Sequence, residues 1–212
     1  MVSHPDDRSV GRFTLIVIGL AWAAAALVLL VASAAGIVLD RPFKDFSRDP
    51  VAVLEGPAYI GFVSSMGAVA WAIGCGACLV GALALTGRVR TALICGGLLT
   101  AILMADDLLL IHEAYIGIVG LPMMIAPIIY AGLAIGFLVV FREFVRRHGL
   151  WILLVACALF AVSAALDVAL DEDSPFLIED GSKLFGIVTW TSFFVLATVR
   201  EIQTGVTTSD SE

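Results

Sequence analysis

Six apolar runs separated by short polar or charged breaks make up nearly the whole of this chain, at about residues 13–39, 57–85, 91–115, 123–141, 150–170 and 177–199. About 20 helical residues cross a hydrocarbon core about 30 Å thick. A helix satisfies every backbone N–H and C=O within its own segment, as that core demands. The pattern therefore predicts an all-α integral membrane protein, a bundle of about six transmembrane helices in one polytopic domain over residues 1–212. Ala32-Ser33-Ala34 has the small-residue spacing of a signal-peptidase site. The run around it is longer than the ~7–15 residues of a signal core, so the first helix reads as retained. Residues 200–212 are polar and predict a disordered tail.

The breaks differ in charge. Arg88 and Arg90 mark one basic turn, and Arg142, Arg146 and Arg147 mark a second. The break at residues 171–173 is wholly acidic. With the N-terminus inside, eight basic residues fall in inner segments and four (Arg41, Lys44, Arg48 and Lys183) in outer ones. Lysine and arginine favour the cytoplasmic side, so both termini are expected in the cytoplasm and the membrane is expected to be the plasma membrane.

Composition agrees with this pattern. The chain is 60% hydrophobic and 15% charged, with a mean hydropathy of +1.03, against about 25% charged in soluble domains. A net charge of −7 is the wrong sign for nucleic acid, which calls for a basic face. The expected surroundings are the lipid bilayer. Gly132-x-x-x-Gly136 lets helices approach closely, so that face could pair copies of the chain. Cys75, Cys78, Cys95 and Cys157 all lie inside apolar runs, where cysteine serves as a small packing residue.

The candidate chemistry gathers at the outer end. Met104 to Tyr115 carries Asp106, Asp107, His112 and Glu113 at the end of an apolar run. Ionisable groups in hydrocarbon cost about 2.5–3.5 kcal/mol each on insertion scales and usually face a partner or a site. Counting about 1.5 Å per residue, Asp106 lies about 22 Å along the third helix, in the same layer as Lys183 near the start of the sixth. Asp167 ends the fifth helix at a similar depth. Glu179 and Lys183 share a helix face at a spacing of four, with Asp180 beside them.

The predicted ion-binding cluster is thus Asp106, Asp107, Asp167, Glu179, Asp180 and Lys183. Its acids outnumber its bases, so a bound cation or proton would balance it. Asp107, His112 and Glu113 also form a carboxylate-rich candidate set for a divalent metal ion, of the hard or borderline kind that oxygen ligands suit.

Three functions fit these residues. The first is a protein that binds or moves a cation or proton through the outward-facing cluster, with Lys183 as a charge partner. The second is a metal-dependent membrane enzyme acting on a lipid. The third is an accessory or assembly subunit whose ion pairs only fasten helices.

Overall fold

The computed structural model describes residues 29–42, 54–57, 59–111, 125–169 and 176–209, with scattered positions before them at 19, 22, 23, 26 and 27. All regular structure among the described residues is helical. The chain divides into two units, residues 1–60 and 61–212. The first contains α1 (Leu29–Val38).

The second unit holds the remaining helices: α2 (Phe62–Ala84), α3 (Gly87–Leu109), α4 (Ile125–Val140), α5 (Arg142–His148), α6 (Leu150–Ala169) and α7 (Phe176–Ser209). Three stretches are long and apolar enough to cross a membrane: α2, α3 and Ile178–Thr204 of α7. The bent pair α4–α5 makes a fourth if it is one span. Large side chains such as Ile73, Val80, Leu98, Ile128 and Val139 stay exposed on the outer faces. That is tolerable for a surface facing lipid, whereas a soluble protein keeps such patches small.

α7 is the central helix, packing on α2 along one side and on α6 along another, while α3 packs against α2. Association inside a membrane relies on close van der Waals fit and interhelical hydrogen bonds, and both are present. Gly96 of α3 lies directly beneath the Phe194 ring, where any Cβ would overlap it. Gly186 of α7 does the same for Phe160, with only 2.8 Å left for a Cβ. Thr191 donates to the Ala70 carbonyl at 2.9 Å, and Thr198 donates to Ala77 at 3.2 Å. Trp190 Nε1 donates to the Thr100 hydroxyl at 2.9 Å, and Thr100 in turn donates to the Gly96 carbonyl at 2.8 Å.

Aromatic rings run through the core from Trp71, stacked on Phe160 at 5.8 Å, through Trp190 and Phe194 to Phe193. Phe144 continues the series and stands 4.6 Å from the His148 ring. The cysteines are free thiols. Cys78 is buried and its Cβ leaves 2.9 Å for a Cβ at Gly97, a packing role.

Two boundaries differ from the sequence reading, and the expected end of the third run at 115 lies outside the described residues. Within them, α3 closes at Leu109, where Leu110 turns left-handed (φ 50°, ψ 41°) and its N–H caps the Asp106 carbonyl. The fourth apolar run bends by 85° after Val140, so Arg142–His148 is a helix rather than a turn. Phe141, Phe144, Val145 and His148 are its buried face, an i, i+3, i+4, i+7 stripe that folds α5 against the bundle. Gly149, at φ 115°, ends it in the conformation glycine tolerates best. Finally, α7 continues to Ser209 where a disordered tail from residue 200 was expected. Contacts made by Glu201 with α5 hold that extension, and a local reading of polarity carries no trace of them.

Candidate functional site

The junction of α2, α3 and α7 brings two of the predicted residues together. Lys183 Nζ on α7 lies 2.5 Å from Asp107 Oδ1 on α3. The Asp107 side chain is only 9% exposed, that of Lys183 40%. The carboxylate rests against α2, since a Cβ on Gly67 would stand 3.7 Å from Asp107 Oδ2 and 3.2 Å from Ile187. A larger residue at position 67 would intrude on the pair.

Asp106, the preceding residue, is buried as well. The Tyr130 hydroxyl on α4 donates a hydrogen bond to its carboxylate. Adjacent acids thus acquire different environments. Asp107 faces an ammonium, whereas Asp106 is engaged by a neutral phenol. About 100° separates successive side chains on a helix, which sends them to different neighbours.

Both acids occupy the last turn of α3. Carboxylates there oppose the helix macrodipole, at about 0.3–1 kcal/mol each. Helix stability alone does not favour them at these positions. The left-handed Leu110 adds about 1–2 kcal/mol of backbone strain at the same spot.

Glu179 is half-buried in the first turn of α7, where the dipole favours an acid. It precedes Lys183 by four residues, the spacing that places an acid and a base side by side on one face. Asp180 is exposed. Asp167 lies on α6, and its side chain, like the whole of His112 and Glu113, falls outside the described residues. The metal set Asp107, His112 and Glu113 is therefore represented by Asp107 alone. Among the described residues no three histidine, cysteine or acidic side chains are grouped to hold a metal.

A turn below Gly67, Trp71 is buried, and among the described residues its indole N–H meets no acceptor.

Sequence reasoning missed Tyr130 and Gly67. Tyr130 carries a hydroxyl in the middle of an apolar run, which was a usable signal. Gly67 was invisible, because its importance is the space it leaves.

A second polar cluster, also missed, sits at the opposite end of α7. His148 is buried at the end of α5, with Nδ1 2.8 Å from the Phe144 carbonyl and Nε2 3.2 Å from Glu201 Oε1. Arg147 lies 3.6 Å from the same carboxylate oxygen. Arg200 donates to the His148 carbonyl at 3.4 Å, and Arg88 donates to the Val140 carbonyl at 3.2 Å. The arginines of both basic turns thus gather at one end.

Apolar helices of crossing length, with an ion pair between two of them, define a membrane protein. The chain belongs to the family described as Domain of unknown function (DUF8692), whose model matches residues 19–197. No curated protein and no solved structure matches it.

Proposed function

We propose that this membrane protein binds or moves a proton or cation at the end of the bundle where α2, α3 and α7 meet. Asp106 and Asp107 are the principal acceptors. Asp167 and Glu179 or Asp180 complete the site, and Lys183 is the charge partner that an incoming cation displaces from Asp107. The supporting observation is the Lys183–Asp107 pair beside a second, buried carboxylate at Asp106. Ionisable groups within membrane segments commonly mark ion or proton pathways. An ammonium on one of two adjacent acids is a stand-in for the cation the site would take.

The same reading has about six spans, both termini in the cytoplasm and the site facing outward across the plasma membrane. It also has copies of the chain pairing through Gly132 and Gly136, which have open space around them.

The test uses proteoliposomes of the purified chain, with an internal pH dye and, separately, radiolabelled sodium or calcium. The wild type should show flux or binding, and the Asp106→Asn/Asp107→Asn double variant should lose it. Unchanged uptake in a folded double variant overturns the proposal.

A second reading, a subunit whose ion pair only clasps α3 to α7, is favoured by the fit of Asp107 against Gly67. The reversed pair Asp107→Lys/Lys183→Asp separates the two. It should fold under either reading, and it should keep function only if the pair is a clasp.

A further inference from the structure

The geometry points to a binding groove for an anionic phospholipid between α6 and α7, at the arginine-rich end of the bundle and away from the carboxylates. The groove encloses about 560 Å³. Its mouth is formed by Arg146, Arg147 and Arg200, all exposed. Its floor is apolar, with Ile152 and Val155 of α6 facing Val188 and Leu196 of α7.

The polar atoms inside the groove are already engaged. Thr189 donates to the Phe185 carbonyl and Ser192 to the Val188 carbonyl, both at 2.7 Å. These hydroxyls therefore present their carbon side to a ligand. Val188 and Arg200 are twelve positions apart, so the groove runs about 18 Å along α7, a length suited to an acyl chain. Trp151, 68% exposed, stands at the mouth, where an indole prefers the level of lipid headgroups.

Charge selects the headgroup. Two acids stand at this end: Glu143, exposed in the first turn of α5 and outside the groove's lining, and Glu201, whose carboxylate is met by His148 at 3.2 Å and by Arg147 at 3.6 Å. Arg200 is anchored on the His148 carbonyl at 3.4 Å, which fixes its guanidinium at the mouth and leaves further N–H groups for a phosphate. Arg146 of α5 adds a second guanidinium to the same lining. Basic pockets between membrane helices recognise anionic headgroups, and guanidinium binds phosphate through two parallel hydrogen bonds. An acyl chain along the floor makes the ligand a lipid rather than a free phosphate.

Native mass spectrometry of the detergent-purified protein tests this, with phosphatidylglycerol or phosphatidylcholine added at matched concentration. The wild type should retain one phosphatidylglycerol in preference to phosphatidylcholine. Arg146→Gln/Arg200→Gln should bind it about thirtyfold more weakly, at about tenfold per 1.4 kcal/mol and about 1 kcal/mol per arginine. Arg90→Gln/Arg142→Gln, with the same charge change outside the groove, should bind as the wild type does. Val155→Trp/Val188→Trp, which fills the floor and leaves the charges, should also lose the lipid.

Equal retention of both lipids overturns the proposal, as does equal loss in the Arg90/Arg142 control. Displacement by glycerol phosphate alone, with Val155→Trp/Val188→Trp unaffected, shows a soluble-anion site and overturns it too.

Discussion

The two ends of α7 hold charged groups of the same kinds under opposite conditions. At one end Lys183 reaches Asp107 in a junction of three helices, with the carboxylate 9% exposed. At the other, Arg147 reaches Glu201 across 3.6 Å with 63% of its side chain exposed. Both carboxylates are largely buried, Asp107 at 9% and Glu201 at 15% exposed, and the contrast lies in the cations, Arg147 being 63% exposed against 40% for Lys183. Coulomb attraction at contact rises from about 1 kcal/mol in water to about 4 kcal/mol at an effective dielectric of about 20. Desolvation costs rise with it. The buried end should therefore respond steeply to loss of one partner, and the arginine end weakly. A chain of rings from Trp71 to Phe144 joins the two ends, so both are built on one core.

The largest expected effect comes from breaking the buried pair. Asp107→Ala removes the carboxylate that Lys183 meets across the contact of α3 with α7. Removing one partner of a buried pair costs about 3–5 kcal/mol. Lys183 is 40% exposed and can turn toward water, so about 2–3 kcal/mol is expected. Unfolding by sodium dodecyl sulfate in mixed micelles measures it. The double variant Asp107→Ala/Lys183→Ala should be less destabilised than the two single losses added together, by about 1 kcal/mol or more. Additive losses would show that the two groups do not interact.

Next comes His148→Leu, which keeps the bulk beside Phe144 and removes both ring nitrogens. The Phe144 carbonyl and Glu201 each lose a partner within 3.2 Å. The histidine is buried, so this point of the arginine end behaves like the other end, and about 2 kcal/mol is expected. A change under about 0.5 kcal/mol would show that water replaces the ring and that the whole end is solvated.

How much of this could be read from the chain depends on which geometry is asked for. Depth was legible. Apolar run lengths and a constant rise put Asp106 and Lys183 in one layer, and in the structure the residue next to Asp106, Asp107, pairs with Lys183. Azimuth was not legible, because a helix's own periodicity says nothing about how its neighbours are rotated. Asp106 meets Tyr130 of α4, while its neighbour Asp107 meets Lys183 of α7. The bend after Val140 was missed for a different reason. No proline or glycine marks it, and the stripe Phe141, Phe144, Val145, His148 was hidden in a segment that reads as a basic turn. The same segment hid the partner that keeps α7 helical past Arg200.

Tyr130→Phe sharpens the comparison from the buried side. It removes one hydroxyl and no charge, so it isolates the hydrogen bond to Asp106. Hydrogen bonds between membrane helices average about 0.6 kcal/mol and reach about 1.7 kcal/mol. A buried carboxylate acceptor belongs near the upper figure, and about 1 kcal/mol is expected. In the flux assay the variant should alter transport more than this loss implies if Asp106 is an acceptor. Wild-type flux together with a loss of stability would make Tyr130 a packing residue.

The smallest effect is expected for Arg147→Gln. The arginine is mostly in solvent and its contact with Glu201 is long at 3.6 Å. Glu201 keeps His148 at 3.2 Å when the arginine is removed. Exposed pairs contribute about 0–1 kcal/mol and are screened by salt. In detergent free of anionic lipid the loss should be about 0.5 kcal/mol or less, and it should shrink further at high salt. With phosphatidylglycerol present, Arg147→Gln should cost more, because the wild type then gains the binding energy of a ligand held only by the folded state. A loss above about 1.5 kcal/mol without lipid would place Arg147 in the same energetic class as Lys183, and the contrast between the two ends would then lie in their chemistry rather than in their exposure to water.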